Sequence, residues 1–317
     1  MINYLLIVVG FALLTGGANV LVNGASGLAA KMKISNLVIG LTVVAFGTSS
    51  PELLVNVVAA INGSSQIAIT NVLGSNSINT LLILGVSALF YPIVAQKSTL
   101  RVEIPLSLFA ALAVLVLGTV KFAGKANEIS RLDGVFLLLC FVAFLVYTVK
   151  LSRKSELVVS EEDIKTTTLG KAIFLVIGGL IALAIGAEMV VRSSVKLALA
   201  WGVSESVIGV TIVALGTSLP ELATSVVAAI KKNPDIAIGN IIGSNIFNVF
   251  FVLGLSAVIR PLPAYPNLVA DASVAALGSL LVLLFVGLGK KQTLNRWHGI
   301  VLLLVYAANL AWIISTL

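Results

Sequence analysis

Long runs of apolar residues recur along the chain, separated by short polar or Gly- and Pro-containing stretches. Each run holds about twenty residues, enough for a helix to cross the roughly 30 Å of hydrocarbon in a bilayer. Lipid offers the backbone no hydrogen-bond partner, and the alternation typical of barrel strands is absent, so the runs predict spanning helices. Ten spans are predicted, at about 3–25, 35–61, 67–92, 102–120, 132–150, 169–195, 204–230, 236–260, 267–288 and 297–316.

The composition supports an all-α membrane protein. Of the 317 residues, 59% are hydrophobic and 10% are charged, whereas a soluble domain carries about a quarter charged residues. The net charge of +7 does not predict nucleic-acid binding, because basic residues of membrane proteins concentrate in cytoplasmic loops. The partner predicted from composition is therefore the lipid bilayer. The single cysteine, Cys140, excludes an intrachain disulfide.

The basic residues also predict an orientation. Ten spans would place fourteen of the 20 Lys and Arg residues on one side of the membrane and six on the other, the six being Lys121, Lys125, Arg131, Arg192, Lys196 and Arg260. The richer side is expected to be cytoplasmic. Both termini are then expected outside the cytoplasm, in a multi-pass protein of the cell (inner) membrane.

Two segments of the chain are repeated at a single offset of 169 residues. The stretch 40–53 returns as 209–222, both containing Gly-Thr-Ser-x-Pro-Glu, and 71–79 returns as 240–248, both containing Gly-Ser-Asn. Five spans, an odd number, separate each segment from its copy, so the halves are predicted to insert with opposite orientations. The predicted organisation is a first five-helix repeat at 1–150 (motif 40–80), a cytoplasmic linker at 151–168 and a second repeat at 169–317 (motif 209–249).

Glu52 and Glu221 are the two acids that lie well inside long apolar runs. A charge at that depth costs about 2.5–3.5 kcal/mol on insertion scales and normally faces a partner or an aqueous cavity. No Lys or Arg lies nearby in either run. The missing positive charge is therefore expected to be a transported cation or a proton.

The residues around the two acids favour a metal cation. Thr48 and Ser49 stand four and three positions before Glu52, on the same helical face, and Thr217 and Ser218 stand likewise before Glu221. Pro51 and Pro220 cannot donate to the carbonyls of Gly47 and Gly216 and are predicted to open the preceding turn. Carbonyls, hydroxyls and a carboxylate together form a ligand set that calcium accepts.

The Gly-Ser-Asn segments add polar pairs on one helix face, Ser75 with Asn79 and Ser244 with Asn248. Their side-chain oxygens could complete a site shared by four helices, since a buried amide needs partners. Asn56 and Ser225, one turn beyond each glutamate, either line an access path or bond between helices.

At these residues the chain resembles the cation/calcium antiporter superfamily, in particular prokaryotic sodium/calcium exchangers. The resemblance covers essentially the whole length, and the doubled Gly-Thr-Ser-x-Pro-Glu motif followed by Gly-Ser-Asn is highly specific. It implies that Glu52 and Glu221 are the main calcium ligands, with the carbonyls of Thr48 and Thr217. It further implies sodium ligands and two central amides: Ser49, Ser218, Ser75, Ser244, the carbonyls of Ala45 and Ala214, then Asn79 and Asn248.

Two positions depart from the family pattern. Asn248 stands where some prokaryotic exchangers and the potassium-dependent branch have Asp, so the chain resembles the potassium-independent branch. Thr70 replaces the glycine usual before the first Gly-Ser-Asn segment, whereas Gly239 keeps it in the second. We therefore do not expect the two halves to be strictly equivalent. The short linker also leaves no room for the calcium-sensing domains of animal exchangers.

These observations predict sodium/calcium antiport by alternating access rather than enzymatic activity or the use of a cofactor. Two carboxylates carry a charge of −2, which one Ca²⁺ or two Na⁺ would neutralise. A third sodium, implied by the resemblance, would make each cycle electrogenic. A proton/calcium or other cation antiporter is the nearest alternative. A cation channel is disfavoured because the symmetry is internal, which favours a functional monomer, and an intramembrane hydrolase lacks its motif.

Overall fold

A computed structural model describes residues 2–120, 127–154 and 168–316 of the chain, and the described part is built almost entirely from helices. We number twelve helical segments in chain order: α1 (Ile2–Met32), α2 (Asn36–Thr48), α3 (Ser50–Asn62), α4 (Gln66–Phe90), α5 (Thr99–Thr119), α6 (Arg131–Arg153), α7 (Leu169–Ala200), α8 (205–216), α9 (Leu219–Ile230), α10 (Pro234–Ile259), α11 (Leu268–Leu288) and α12 (Arg296–Ser315). Four two-residue strands lie in the connections: β1 (Ile93–Val94), β2 (Glu128–Ile129), β3 (Leu262–Pro263) and β4 (Thr293–Leu294).

The prediction of a helical membrane protein is confirmed. Eight described helices are long and apolar enough to cross a bilayer, and α2 with α3, bent by 48°, counts as a ninth span. The predicted seventh span, 204–230, is divided into α8 and α9, and the apolar α9 is too short to cross alone. Helix length therefore establishes eight or nine spans in the described residues, and the count of ten stays a prediction.

Several predicted boundaries were wrong by a few residues. The first span was predicted to end at 25, but α1 continues to Met32, and α7 continues to Ala200 instead of ending at 195. The prediction stopped where polar residues begin, whereas Ala29 and Ala30 are buried and hold the last turns of α1 against neighbouring helices. Most of the predicted linker, 151–168, lies outside the described residues.

Helices α1 and α7 pack against each other through glycines. A Cβ atom added to Gly10 would lie 2.9 Å from the carbonyl oxygen of Gly186, and one added to Gly17 would lie 3.0 Å from that of Gly179. Small residues permit this close backbone approach inside a membrane. Because the contact moves toward the start of α7 as it moves along α1, the two helices are antiparallel.

The short strands define two ends of the helix bundle. Strand β1 pairs with β4, and β2 pairs with β3, both antiparallel. Helix α5 leads from β1 to β2, and α11 leads from β3 to β4, each over about 30 Å at 1.5 Å per residue. The two strand pairs therefore lie at opposite ends, which we call the β1–β4 end and the β2–β3 end, and α5 and α11 run in opposite directions.

Helices α4 and α10 lie at the centre of the bundle. The protein buries 78% of the most apolar stretch of α4 and 83% of that of α10, against 33% for α1. Both helices contain a widened π-type turn, at Ile78–Ile83 and Asn248–Leu253. Such turns expose backbone and redirect side chains, and they are frequent at functional sites. The two Gly-Ser-Asn segments of the sequence thus occupy the most enclosed helices.

Candidate cation site

The glutamates Glu52 and Glu221 lie in the first turn of short helices that begin inside the bundle. Helix α3 follows a break at Ser49 (φ −84°, ψ 9°), and α9 follows a matching break at Ser218 (φ −89°, ψ 3°). A proline stands near the start of each new helix, where its missing N–H costs no hydrogen bond. The unpaired N–H groups of a helix start favour a carboxylate at this position.

The two carboxylates are buried and each is bound by a serine of the opposite half. Glu52 is 0% exposed and Glu221 is 1% exposed. Ser49 Oγ donates to Glu221 Oε1 at 2.8 Å, and Ser218 Oγ donates to Glu52 Oε1 at 3.5 Å. The carboxylates are near enough to repel each other when both are ionised. The helix breaks at each serine, and the serine hydroxyl therefore reaches the glutamate of the opposite half instead of continuing the helical face of its own glutamate.

A second set of hydroxyls surrounds each acid. Ser75 Oγ donates to Glu52 Oε1 at 3.4 Å, and Thr217 lies beside the same carboxylate. Ser244 and Thr48 lie beside Glu221. Each glutamate is therefore approached by a serine of its own half and by a threonine and a serine of the other half.

The predicted backbone ligands are placed differently in the two halves. The carbonyl of Ala45 accepts from the Ser49 N–H at 3.0 Å and faces the Ser244 hydroxyl at 3.4 Å. In the second half, the Ser218 N–H bonds to Leu215 at 3.1 Å instead of to Ala214. The Gly47 carbonyl, predicted to be free because of Pro51, accepts from the Ser50 hydroxyl. That prediction missed the hydroxyl, which has no counterpart at Leu219.

The amides of Asn79 and Asn248 are oriented by two further asparagines. Asn79 Nδ2 donates to Asn245 Oδ1 at 3.0 Å, and Asn248 Nδ2 donates to Asn76 Oδ1 at 3.2 Å. Asn76 in turn donates to the backbone of Asn245 at 3.1 Å. All four side chains are nearly or fully buried. Asn76 and Asn245 were not among the predicted site residues, although their repetition at the 169-residue offset was the signal that they act as a pair.

Four buried carboxylate and amide oxygens of this cluster have no hydrogen-bond donor among the described residues. They are Glu52 Oε2, Glu221 Oε2, Asn79 Oδ1 and Asn248 Oδ1. Two come from each half. The two amide oxygens can only accept hydrogen bonds, and the two carboxylate oxygens can only accept them when the acids are ionised. Carboxylate and amide oxygens are ligands for hard cations such as Ca²⁺. The described residues contain no group of three or more His, Cys, Asp or Glu that would instead favour a transition metal.

The two alternatives left open for Asn56 and Ser225 are decided in favour of helix–helix hydrogen bonds. Asn71 Nδ2 donates to Asn56 Oδ1 at 2.7 Å, joining α4 to α3. Asn240 Nδ2 donates to Ser225 Oγ at 2.9 Å, joining α10 to α9. Asn240 Oδ1 also accepts from Thr48 Oγ1 at 3.0 Å. These bonds hold the helices that carry the glutamates against the two central helices.

The cluster is closed on one flank. Helix α10 packs directly on α2, where a Cβ atom added to Gly239 would lie 3.1 Å from Gly40 Cα and one added to Gly243 would lie 2.7 Å from the Leu41 carbonyl oxygen. Phe46 and Phe247 stack across the same contact with ring centroids 4.6 Å apart. Little space is left between these helices for an ion to pass.

The other flank is open. At the equivalent positions Gly74 and Gly209, an added Cβ atom would meet nothing within 4 Å. A cavity of about 490 Å³ lies between α4 and α8 there, lined by Thr70, Ala214 and Thr217 among others. It also contacts Tyr265 and Thr316, which places it toward the β2–β3 end. The two flanks of the site are therefore not equivalent in this structure.

Comparison with known proteins gives the family of the chain. The profile of the family described as sodium/calcium exchanger protein matches residues 2–150 and 171–315. The chain belongs to this family. Its members are membrane antiporters rather than enzymes, so the chain is assigned to the cation/calcium antiporters.

Full-length relatives agree with this assignment. The inner membrane protein YrbG of Escherichia coli (strain K12) is 39% identical over 97% of this chain and 96% of its own length. The sodium/calcium exchanger MaX1 of Methanosarcina acetivorans is 33% identical over 98% and 97%. A solved structure of the sodium-calcium exchanger NCX_Mj superposes with a TM-score of 0.83 at 35% identity, covering 98% of both chains. The fold matches that of NCX_Mj.

Proposed function

We propose that this protein is a secondary-active antiporter that exchanges Na⁺ for Ca²⁺ across the membrane by alternating access, without a requirement for potassium. The observation that carries the proposal is the pair of buried acids Glu52 and Glu221. Each accepts a hydrogen bond from a serine of the opposite half, Glu221 from Ser49 and Glu52 from Ser218. No Lys, Arg or His of the described chain forms an ion pair with either acid. Ionised carboxylates at this depth need cations, and mobile cations are the transported species.

The proposed ligands are divided between Ca²⁺ and Na⁺. Glu52 and Glu221, with the carbonyls of Thr48 and Thr217, hold calcium. The serine hydroxyls and the carbonyls of Ala45 and Ala214 hold sodium, while Asn79 and Asn248 present amide oxygens at the centre; the serines are Ser49, Ser218, Ser75 and Ser244. The four donor-free oxygens support this division, since they lie on two carboxylates and two amides.

Charge balance gives a physical reason for obligatory exchange. The two carboxylates together carry −2, which either one Ca²⁺ or two Na⁺ neutralises. A loaded, neutral site can change sides without exposing net charge to the low-dielectric bilayer, whereas an empty, doubly charged site cannot. With a third Na⁺ the sodium-loaded carrier bears +1, so transport moves charge in every cycle and responds to voltage.

We infer a topology of ten spans in two inverted repeats, 1–150 and 169–317. The broken helices α2–α3 and α8–α9 then each make one span. Three features support the inversion: the antiparallel packing of α1 on α7, the opposite directions of α5 and α11, and the strand pairs at opposite ends. The repeat offset relates β1 to β3, so one strand pair is the counterpart of the other at the far end of the bundle.

From the distribution of basic residues we infer that the protein lies in the inner membrane with the β2–β3 end and both termini outside the cytoplasm. The cavity between α4 and α8 would then open to the outside, while the α2–α10 contact closes the cytoplasmic path. Exchange of these two arrangements, with α1 and α7 sliding over the remaining helices, would supply alternating access. Each copy contains a whole site, so the functional unit is a monomer.

The decisive experiment is calcium uptake into proteoliposomes under separate gradients. Vesicles loaded with Na⁺ should accumulate ⁴⁵Ca²⁺ at constant pH, and a membrane potential should change the rate. Uptake driven by a pH gradient without sodium would replace sodium with protons as the counter-ion. Glu52→Gln and Glu221→Gln should each abolish uptake while the protein still inserts, and full transport by either variant would remove that residue from the site.

A further inference from the structure

The cavity at the β2–β3 end carries one charged side chain. Among its described lining residues, Asp271 is the single carboxylate, and no Lys, Arg or His joins it there. Asp271 makes no ion pair within the described part of the chain. A cleft lined by one sign of charge focuses its field and raises the local concentration of counter-ions. The charge of this cavity is thus set by a residue outside the proposed ligand set.

Asp271 is held in place by a neutral donor, not by a cation. The Tyr265 hydroxyl donates to Asp271 Oδ2. Burial and the neighbouring Asp271 raise the pKa of Tyr265, so the phenol stays protonated and keeps donating. The hydrogen bond fixes the carboxylate without cancelling its charge. Asp271 itself is partly exposed, so it remains accessible from the cavity.

The same cavity reaches the residues proposed to hold the transported ions. Thr217 and Ala214 line its inner part, and Thr217 lies beside Glu52. The Thr217 hydroxyl makes no hydrogen bond of normal geometry in the described structure. The lining also includes the polar side chains of Thr70 and Asn71. A cation that meets Asp271 is therefore in the same cavity as Thr217, which lies beside Glu52.

The closed end of the molecule gives an internal contrast. Glu103 lies near the start of α5, as Asp271 lies near the start of α11, and it accepts from the Tyr147 hydroxyl. Glu103 is 0% exposed, whereas Asp271 is not buried. Of these two tyrosine-held acids, the accessible one is at the end where a cavity exists.

We propose that Asp271 forms a cation-recruiting site in the cavity at the β2–β3 end, which captures Ca²⁺ before it reaches Glu52 and Glu221. This proposal rests on the proposed antiport function. The site takes a hydrated divalent cation through one carboxylate and the neutral oxygens around it, and it binds weakly because the cavity is open to water. It raises the rate of calcium entry from one side of the membrane only.

The experiment measures the initial rate of Na⁺/⁴⁵Ca²⁺ exchange in oriented vesicles, with Ca²⁺ added on either side. In Asp271→Asn, the apparent KM for Ca²⁺ supplied from the β2–β3 end should rise about three- to tenfold at low ionic strength. The increase should shrink in high salt, because the Debye length falls to about 3 Å at 1 M. The KM for Ca²⁺ supplied from the β1–β4 end and the maximal rate should not change.

Two further variants separate recruitment from folding. Asn267 is exposed and lines the same cavity, so Asn267→Lys should raise the same one-sided KM without touching Asp271, and Asn267→Asp should lower it. Glu188→Gln is the matched control, since it removes one exposed carboxylate that pairs with Arg192 and does not line the cavity. It should leave both KM values unchanged.

The outcomes distinguish a failure of cation recruitment by Asp271 from a failure of the proposed antiport function. If the unmodified protein exchanges sodium for calcium but the Asp271 and Asn267 variants keep its KM, or change KM equally from both sides, recruitment is wrong and antiport stands. If the unmodified protein shows no sodium-driven calcium transport, or Glu52→Gln transports normally, the proposed function itself fails.

Discussion

Asn248 and Asn76 join the two halves of the protein through one side-chain hydrogen bond, 3.2 Å from Asn248 Nδ2 to Asn76 Oδ1. In the matching bond, Asn79 Nδ2 of the first half donates to Asn245 Oδ1 of the second half at 3.0 Å. With each Nδ2 engaged in this way, each Oδ1 of Asn79 and Asn248 is left without a donor. Asn245 therefore determines which end of the Asn79 amide faces the candidate cation site, and Asn76 does the same for Asn248.

Replacing Asn76 by alanine should weaken cation binding although Asn76 is not a proposed ligand. The Asn248 amide would lose its acceptor, and an unsatisfied buried donor costs about 1–3 kcal/mol. We expect the half-saturating Ca²⁺ concentration to rise by about tenfold, with a smaller effect on the amount of folded protein. Isothermal titration or equilibrium ⁴⁵Ca²⁺ binding to purified protein measures this directly.

Asn56→Ala is the control for this change. Asn56 is also a buried asparagine bonded between helices, to Asn71 and to the Ala68 carbonyl, and neither of these partners is a proposed ligand. It should lower thermal stability without a comparable loss of affinity. Equal losses of affinity in both variants would mean that Asn76 acts only through stability.

The two serines at the helix breaks should contribute unequally. Ser49 Oγ lies 2.8 Å from Glu221 Oε1, whereas Ser218 Oγ lies 3.5 Å from Glu52 Oε1. A hydrogen bond to a charged group contributes about 1.5–3 kcal/mol at good geometry and far less at the limit of the range. Ser49→Ala should therefore reduce sodium affinity about tenfold or more, and Ser218→Ala by less than about threefold.

The comparison of Ser49→Ala with Ser218→Ala is best made by sodium-dependent inhibition of calcium binding, in one buffer and at one pH. Because the serines occupy equivalent positions in the two repeats, each variant is the control for the other. Equal effects would show that the difference between 2.8 and 3.5 Å does not persist in the ion-loaded protein.

The helical membrane fold and the buried position of both glutamates could be predicted from the sequence, because long apolar runs are typical of spanning helices and acids within them are rare. The bond from Ser49 to Glu221 instead of Glu52 could not, since helical spacing describes one continuous helix and the chain breaks at that serine. The partner of the Asn76 side chain was likewise hidden. An asparagine in a helix gives no sign of which partner its amide will reach from another helix.

The difference between the two flanks of the site was also beyond the sequence. Gly74 and Gly243 are equivalent in the repeat, yet one faces open space and the other touches α2. The proposed alternating access would give one sequence two packings, and the sequence pattern alone does not fix which packing is populated.

Alanine at these two glycines should shift the protein in different ways. A Cβ atom at position 243 would lie 2.7 Å from the Leu41 carbonyl oxygen, so Gly243→Ala should oppose the α2–α10 contact. Gly74→Ala meets nothing within 4 Å in this arrangement and should leave it intact. The readout is labelling of a cysteine at Val213, an exposed cavity residue, by a membrane-impermeant thiol reagent in a protein with Cys140 replaced. Labelling should fall in Gly243→Ala alone, and an equal fall in both variants would contradict the assignment of the closed flank.

Adding a third carboxylate tests the charge-balance argument. Asn248→Asp would bring the charge of the ionised site to −3, which one Ca²⁺ no longer neutralises, and it would also remove the donor to Asn76. Since a site with net charge crosses the bilayer poorly, calcium exchange should then require a further monovalent cation. We expect transport by Asn248→Asp to increase with added K⁺ or with falling pH, whereas the unmodified protein responds to neither in this way. Calcium uptake into sodium-loaded vesicles, measured with choline or potassium outside, checks this prediction. If uptake by Asn248→Asp responds neither to K⁺ nor to protons, net charge does not control the movement of the site between the two sides of the membrane.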